Sequence, residues 1–253
     1  IHQLDTLDDA TRIAGDFTAY LHQTTTPEAV IVGGGYTGME LACNLRCAAS
    51  KQGRDCKISV VEVKETILPG IPATIRGHIQ KECIKKNIEL LTNRSVSSFD
   101  GVNAVLSDGT RKDGVFLCWS AGTKCGLDVA GNCRRVVDER IIVDDCLRIP
   151  EHPEAYAAGD AAAIESTGTL LRKAVNFSID SGHHAAQNLV AAVNHTEQTP
   201  FKPKDLGWII PFCSTGAGKI FSKLTLKGRL PLALHYIMCG YRNYNTTNRL
   251  YFL

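Results

Sequence analysis

Four glycines close together are the first candidates for chemistry in this chain. Gly33, Gly34, Gly35 and Gly38, with Thr37 before the last of them, fit the pattern G-x-G-x-x-G. In that pattern the first glycine permits a tight turn, the second lets a pyrophosphate approach the backbone, and the third lets a helix pack closely on a strand. The N–H groups and positive dipole of a helix that begins here would bind phosphates. The spacing therefore predicts a dinucleotide site.

Glu62 and Glu40 are acidic residues whose positions fit such a site. Glu62 ends a predicted strand, where a carboxylate would accept the ribose hydroxyls and repel a 2′-phosphate. It therefore favours NADH over NADPH, although Lys64 leaves NADPH open; the alternative is a solvated glutamate at a strand end. Glu40 fits two interpretations equally: an acid that stabilises the helix dipole, or an acceptor for the nicotinamide carboxamide.

A Gly-Asp pair provides a second candidate. Gly159 and Asp160 follow the apolar run 155–158. An Asp at the carboxyl end of a parallel strand can bind ribitol or pyrophosphate-linked oxygens, because ligands of open α/β sheets collect at those ends. Gly-Asp turns are also common in loops that bind nothing, so this pair depends on the wider pattern described below.

The elements that would position these residues follow from apolar periodicity. A capping box at Thr6 predicts a first helix, the apolar run 29–32 a buried strand, and 36–50 and 57–63 a helix and a second strand. Strand, glycine turn, helix and strand form a βαβ unit with parallel strands. Three Asp-Gly pairs then predict an antiparallel excursion before a further strand at 115–119.

The composition excludes some classes of function. Of the 253 residues 44% are hydrophobic and 21% charged, which is typical of globular proteins and not of disordered chains. The net charge of +2 provides no basic field of the kind that binds nucleic acid. For the ten scattered cysteines we expect free thiols in a reducing compartment, with Cys43 and Cys47 as small buried residues rather than a metal or redox pair. No metal site is predicted.

Four segments, taken together, resemble a known family; they are 29–42, 60–63, 118–122 and 155–160. They look like the pyridine nucleotide-disulfide oxidoreductase superfamily and, within it, type II NADH dehydrogenases and their FAD-dependent relatives. The resemblance implies an α/β fold in which a Rossmann-like NAD-binding domain, a parallel sheet with an antiparallel hairpin excursion, is inserted in a partial FAD-binding domain. It assigns 1–25 to a remnant of the first FAD-domain half with a linker helix, 26–122 to the NAD(P)H-binding domain, and 123–253 to the second FAD-domain half with a basic C-terminal segment.

The resemblance also implies roles for individual residues. The NADH site would contain the glycine turn, Thr37, Glu40, Glu62 and Gly122, and the FAD site would contain Gly159, Asp160, Lys173, Ala174 and Val175. The N-terminus of the helix at 173–175 would face the flavin, where negative charge develops on reduction. Hydride would pass directly from the nicotinamide to the flavin, so no residue is predicted to act as a catalytic acid or base.

Two departures from the family pattern affect these expectations. The family begins with its own glycine-rich FAD fingerprint; we expect this segment to be missing ahead of Ile1 and this chain therefore to bind FAD weakly. Beside the flavin and quinone, type II NADH dehydrogenases tend to carry Ala-Gln-x-Ala-x-Gln-x-Gly, whereas Asn176 and Asp180 replace the two glutamines here. The acceptor is therefore expected to be a quinone or another small molecule, with simple quinones used less readily.

The partners and location follow from the same pattern. No acidic residue lies beyond Asp205, where six basic residues accumulate: Lys219, Lys223, Lys227, Arg229, Arg242 and Arg249. Such a segment fits an anionic membrane surface or, equally, packing on the domain or in a homodimer. We expect a cytoplasmic protein at the inner face of a membrane. Two alternatives remain: a truncated dinucleotide-binding module without catalysis, and a disulfide reductase of the same superfamily.

Overall fold

The packing divides the chain into two compact units. The computed structural model describes residues 1–122, 135–136, 140–166, 168–221, 223–241 and 247. Unit 1 consists of Ile1–Gly122 and Gly207–Leu253, and unit 2 of Thr123–Leu206.

A parallel sheet is the centre of unit 1. Its N-terminal part contains, in chain order, β1 His2–Gln3, α1 Leu7–Gln23, β2 Glu28–Val32, α2 Tyr36–Lys51, β3 Lys57–Glu62, α3 Ala73–Lys85, β4 Ile88–Thr92, β5 Val96–Phe99, β6 Ala104–Leu106, β7 Arg111–Lys112 and β8 Phe116–Trp119. The sheet order is β1-β8-β2-β3-β4, and every neighbouring pair is parallel. Strands β5, β6 and β7 form a separate antiparallel sheet. The predicted α/β fold with an antiparallel excursion is confirmed.

Helix α1 illustrates how local sequence sets these elements. It begins with a capping box, because the Asp9 N–H donates to Thr6 Oγ1 at 3.1 Å while Asp9 Oδ2 accepts from the Thr6 N–H at 2.9 Å. Ile13, Phe17 and Leu21 recur at helical spacing and are buried in the main core. Burial of this face attaches α1 to the sheet.

Unit 2 is smaller, and its described residues form short strands and one long helix. Its described elements are β9 Arg135–Val136, β10 Arg140–Ile142, β11 Arg148–Ile149, β12 His152–Tyr156, a 3-10 turn Gly159–Ala161, β13 Ala162–Ala163, β14 Glu165–Ser166, β15 Thr169–Leu170 and α4 Val175–Val193. Strand β10 pairs in parallel with β13 and antiparallel with β9. A core that includes Ile141, Leu147 and Ala185 holds α4 against these strands.

The C-terminal part of unit 1 is an antiparallel sheet followed by a helix. It contains β16 Gly207–Phe212, β17 Thr215–Ile220, β18 Leu224–Gly228 and α5 Arg229–Tyr241. Ile210 and Phe212 are fully buried in the same core as Met39 of α2. The described strands β16 and β17 therefore pack with the parallel sheet, whereas the sequence-based domain assignment places them with 123–206.

The expectation that all the cysteines are free thiols is wrong in this structure. Cys43 of α2 and Cys213 of the turn between β16 and β17 form a disulfide across 170 residues of sequence. The cause is tertiary: α2 packs against β16, and this brings together two cysteines whose relation the sequence does not reveal. Cys47, expected to be only a small buried residue, is half-buried beside this bond.

The basic residues near the C-terminus are described only up to Arg229. Lys223, Lys227 and Arg229 are exposed and Lys219 is half-buried, while Arg242 and Arg249 lie outside the described residues. Among the described helices, none is long and apolar enough to cross a membrane.

Candidate dinucleotide-binding sites

The glycine turn lies where β2 passes into α2. Gly33 has φ +108, a backbone conformation that favours glycine, and its N–H donates to the Val61 carbonyl at 2.8 Å. A Cβ at this position would lie 2.9 Å from the Ala121 nitrogen. The first glycine thus makes the tight turn that the spacing predicts.

Gly38 and Gly35 occupy opposite environments. A Cβ on Gly38 would lie 1.9 Å from the Gly33 carbonyl oxygen and 2.7 Å from Ser120 Oγ, so the first turn of α2 packs directly on the turn before it. A Cβ on Gly35 would meet nothing within 4 Å. Gly35 is the N-cap of α2 without a side-chain cap, and first-turn N–H groups such as that of Thr37 lack intrahelical partners. The open side of this turn can therefore admit an anionic group.

Glu62 is bound to the glycine turn. The residue is only 7% exposed. Its Oε2 atom accepts a hydrogen bond from the Gly34 N–H at 2.7 Å, and its Oε1 atom accepts one from the Lys64 N–H at 2.9 Å. The carboxylate is therefore fixed at the carboxyl end of β3 and is not a freely solvated strand-end group. It keeps acceptor capacity beyond these two bonds, which is what a ribose hydroxyl requires.

Ser120 holds the ends of two neighbouring strands together, a role that we did not predict from the sequence. Its N–H and its Oγ both donate to the Val32 carbonyl, at 2.9 and 3.0 Å. The indole N–H of Trp119 donates to the Ala121 carbonyl at 2.9 Å, and Gly122 follows with φ +80. The only available signal was a serine directly after an apolar strand. The point where β8 and β2 separate is the switch point at which open α/β sheets bind ligands.

Glu40 lies in α2 in a half-buried position. Burial raises the pKa of its carboxyl above the usual range. Burial also raises the pKa of Tyr236 in α5, and the Glu40 charge raises it further. Glu40 therefore faces a partly apolar environment near α5, and its two interpretations both remain predictions.

A second group of predicted residues comes together in unit 2. Gly159 and Asp160 line a small cavity with Arg140 and Lys173. Gly159 has φ +64, and its N–H donates to Ser181 Oγ of α4 at 2.9 Å. The Ser178 hydroxyl donates to Asp160 Oδ1 at 2.9 Å. Turn and helix are thus joined by hydrogen bonds, with basic side chains beside them.

The N-terminus of α4 lies close to this cavity. The helix begins at Val175, and its N-cap Ala174 provides no side-chain cap. The Arg172 guanidinium lies 5.1 Å from the centre of the Phe177 ring, both in the lining of the cavity. Arg172 pairs with a carboxylate outside the cavity, so the positive end of α4 and Lys173 are the groups that favour an anionic ligand here.

The two residues that depart from the family pattern lie in different environments. Asn176 is 6% exposed, and its Nδ2 donates to the Lys204 carbonyl at 3.2 Å. Asp180, one turn later, is exposed. Asn176 thus helps to hold α4 in place, whereas Asp180 adds a charge at a solvated surface.

Comparisons with known proteins give consistent relatives. A family model described as pyridine nucleotide-disulphide oxidoreductase matches residues 1–188. The type II NADH:quinone oxidoreductase of Haemophilus influenzae is 24% identical over 223 residues, covering 81% of this chain and 48% of that protein. The chain spans about half the length of the curated relatives it matches.

Solved structures share the fold. NDH2 from Plasmodium falciparum in complex with NADH has a TM-score of 0.77 at 17% identity, over 99% of this chain and 71% of that one. A FAD-dependent pyridine nucleotide-disulphide oxidoreductase from Desulfovibrio vulgaris has a TM-score of 0.61 at 22% identity, over 85% of this chain and 53% of that one.

Proposed function

The chain belongs to the pyridine nucleotide-disulphide oxidoreductase family, and from that premise we propose that it functions as an FAD-dependent NADH oxidoreductase. It would take hydride from NADH and pass electrons to a quinone or another small acceptor. The observation that carries the proposal is the hydrogen bond from the Gly34 N–H to Glu62 Oε2 at 2.7 Å, beside the open N-terminus of α2. This bond supports the proposal because it joins a carboxylate to the glycine turn at one edge of the sheet, where the turn would bind phosphates.

NADH would bind in unit 1, at the carboxyl ends of β2, β3 and β8. The turn at Gly33–Gly35 would bind the pyrophosphate, because no Cβ obstructs the backbone at Gly35. Glu62 would accept the adenosine ribose hydroxyls and repel a 2′-phosphate. Gly122 and Glu40 would lie toward the nicotinamide. The residues present fit this cofactor in both charge and space.

FAD would bind in unit 2, beside Gly159, Asp160 and the N-terminus of α4. When bound, FAD supplies the group that accepts hydride and passes electrons on. Asp160, already oriented by Ser178, would bind hydroxyl groups of the cofactor, and Lys173, Ala174 and Val175 would stabilise negative charge through a cation and helix N–H groups. In this proposal the chain binds and orients the two cofactors and does not itself transfer protons.

The acceptor side is the finer part of the proposal. Quinone is supported by the relative from Haemophilus influenzae, whose name states that activity. The exposed Lys223, Lys227 and Arg229 support contact with an anionic membrane surface. The alternatives are a dinucleotide-binding module without catalysis and a disulfide reductase of the same family.

Titration of the chain with NADH and NADPH tests the nucleotide site. We expect NADH to bind at least about tenfold more tightly than NADPH, which corresponds to about 1.4 kcal/mol. Glu62→Gln should narrow that ratio, and the matched control Glu65→Gln, which removes the same charge from an exposed neighbour, should leave it unchanged. Equal dissociation constants for the two cofactors in the unmutated chain would refute the role of Glu62.

Flavin reduction tests the oxidoreductase activity itself. With FAD added, anaerobic addition of NADH should bleach the flavin absorbance, and a soluble quinone should restore it. Asp160→Asn should weaken FAD binding without changing NADH affinity, since the two residue sets lie in different units. Binding of NADH without any bleaching in the FAD-loaded chain would favour the non-catalytic module instead.

A further inference from the structure

Three cysteine sulfurs lie together in unit 1. Cys43 and Cys47 are one turn apart on α2, and Cys213 lies between β16 and β17. Cys43 and Cys213 form a disulfide with their Cα atoms 5.6 Å apart, and Cys47 Sγ lies 2.9 Å from Cys213 Sγ. All three sulfurs lie within 4.8 Å of one another. A thiol this close to a disulfide is placed for exchange, because exchange proceeds by attack of a thiolate on a disulfide sulfur.

Cys47 is also the sulfur that reaches a surface cleft. Cys43 is fully buried and Cys213, like Cys47, is half-buried, but of the three it is Cys47 that lines a cleft of about 430 Å³ between the ends of α2 and α3. The other residues that line it are Arg46, Ser50, Lys51, Lys85, Lys86 and Asn87. Two of the four cations pair with carboxylates outside the lining, and no carboxylate belongs to the lining among the described residues. The cleft therefore favours a small molecule that carries negative charge.

We propose that Cys43, Cys47 and Cys213 form a thiol–disulfide exchange site for small carboxylate-bearing thiols and disulfides, with Cys47 as the entry thiol. In the first step the Cys47 thiolate attacks Cys213 Sγ, so that a Cys47–Cys213 bond forms and Cys43 leaves as the thiolate and takes up a proton. This step is an isomerisation and needs no co-reactant.

Reduction then uses two molecules of the external thiol. The first, as a thiolate in the cleft, attacks Cys47 Sγ, forms a mixed disulfide with Cys47 and releases Cys213, which takes up a proton. The second attacks the external sulfur of that mixed disulfide and restores the Cys47 thiolate. Overall the protein disulfide gains two electrons and two protons, and two small thiols become one small disulfide. The reverse sequence, with the small disulfide as oxidant, forms the Cys43–Cys213 bond.

The exchange decides whether the C-terminal antiparallel sheet is covalently attached to α2. The disulfide joins the β16–β17 turn to the helix whose N-terminus carries the glycine turn. In a reducing compartment disulfides are usually transient and respond to redox conditions. An accessible thiol beside a resolving cysteine is the arrangement that such sites use.

Peptide mapping tests the three-sulfur geometry, using the full chain. Trypsin cleaves after Arg46 and so separates Cys43 from Cys47, which lets mass spectrometry identify the partner of Cys213 directly. In Cys43→Ser, mild oxidation with glutathione disulfide should produce a Cys47–Cys213 bond. If Cys47 and Cys213 instead both remain free thiols, the proposal is overturned.

The rate of reduction tests the role of Cys47. In Cys47→Ser the Cys43–Cys213 bond should persist, and its reduction by reduced glutathione should slow by about tenfold or more, since the entry thiol is lost. Cys146→Ser, which changes a half-buried free cysteine of unit 2, is the matched control and should keep the original rate. An unchanged rate in Cys47→Ser overturns the proposal.

The cleft charges are tested by comparing two thiols. The quantity to compare is the rate of disulfide reduction by reduced glutathione divided by the rate with the cationic thiol cysteamine. This ratio should be higher in the unmutated chain than in the double variant Lys51→Gln/Lys86→Gln. An equal ratio in both proteins overturns the assignment of the cleft. Stoichiometric zinc on three reduced thiolates in native mass spectrometry would overturn the exchange site in favour of a metal site.

Discussion

Gly38→Ala should destabilise the fold around the glycine turn, because there is no space for the added methyl group. The new Cβ would lie 1.9 Å from the Gly33 carbonyl oxygen and 2.7 Å from Ser120 Oγ, whereas ordinary contact begins at 3.4 Å. The Gly33 backbone cannot retreat easily, because its N–H is bonded to the Val61 carbonyl at 2.8 Å. Helix α2 must therefore move away from the strand end.

The expected cost follows from two opposing effects. Overpacking at a rigid backbone atom lowers the free energy of unfolding by about 3 kcal/mol, and replacing a helical glycine with alanine raises it by about 1 kcal/mol. The net loss in the free energy of unfolding is about 2 kcal/mol, or roughly 4–8 °C in Tm for a chain of this size. Denaturant unfolding and thermal melting of the purified variant measure it.

Two matched glycines separate this effect from others. Gly15 is exposed in the middle of α1, and a Cβ there meets nothing within 4 Å, so Gly15→Ala should stabilise the chain by about 0.5–1 kcal/mol. Gly35→Ala also has space and φ −77, so it should cost about 1 kcal/mol or less while weakening NADH binding. If Gly38→Ala has the same Tm as the unmutated chain, the close approach of helix and turn is refuted.

The other predictions concern single side chains. Thr6→Ala removes the cap of α1 and should lower the free energy of unfolding by about 1 kcal/mol in a urea titration; no change would mean that the cap is dispensable. Lys112→Met removes a buried cation 2.6 Å from Glu28 Oε1 and should lower the free energy of unfolding by about 3 kcal/mol in a urea titration; an unchanged midpoint would show that the pair does not stabilise the fold. Burial raises the pKa of Glu40, so the folded chain favours its protonated form, and the stability this contributes is present in acid and lost as pH rises through the folded pKa. Glu40→Gln should therefore raise Tm at neutral pH and change it little below about pH 4; a decrease at neutral pH would contradict this reasoning. Asp180→Gln should change the free energy of unfolding by no more than about 0.5 kcal/mol, because the side chain is exposed. Unchanged quinone turnover in this variant would show that the Asp180 charge does not affect the acceptor.

Most of the fold around the glycine turn could be predicted from sequence because its determinants are local. The order of strand, turn, helix and strand from 28 to 62 follows from apolar periodicity and from glycines at fixed spacing. Each of these signals acts within a few residues, so it can be read without knowledge of distant contacts. The capping box at Thr6 is predictable for the same reason.

The candidate site was predicted only in part. Gly33, Gly38 and Glu62 lie together as the spacing implies, because both strands of a βαβ unit end at the same edge of the sheet. Ser120 was missed, because its two bonds to Val32 reach across 88 residues of sequence. In the sequence, Asn176 and Asp180 both stand where the family pattern has glutamine. The structure distinguishes them, because the Asn176 amide is buried and bonded to the Lys204 carbonyl, whereas the Asp180 carboxylate is exposed.

The sequence by itself determined the family, the type and order of the elements, and the nucleotide turn, because periodicity and short motifs act through local backbone geometry. Only the tertiary structure decided that residues 207–241 pack on the parallel sheet and that Cys213 meets Cys43 and Cys47. Ile210 and Phe212 bury themselves against α2, and that choice of surface depends on the shape and apolar area of elements far away in the chain. A pairing across 170 residues has no local signature, so the exchange site could be found only in the folded chain.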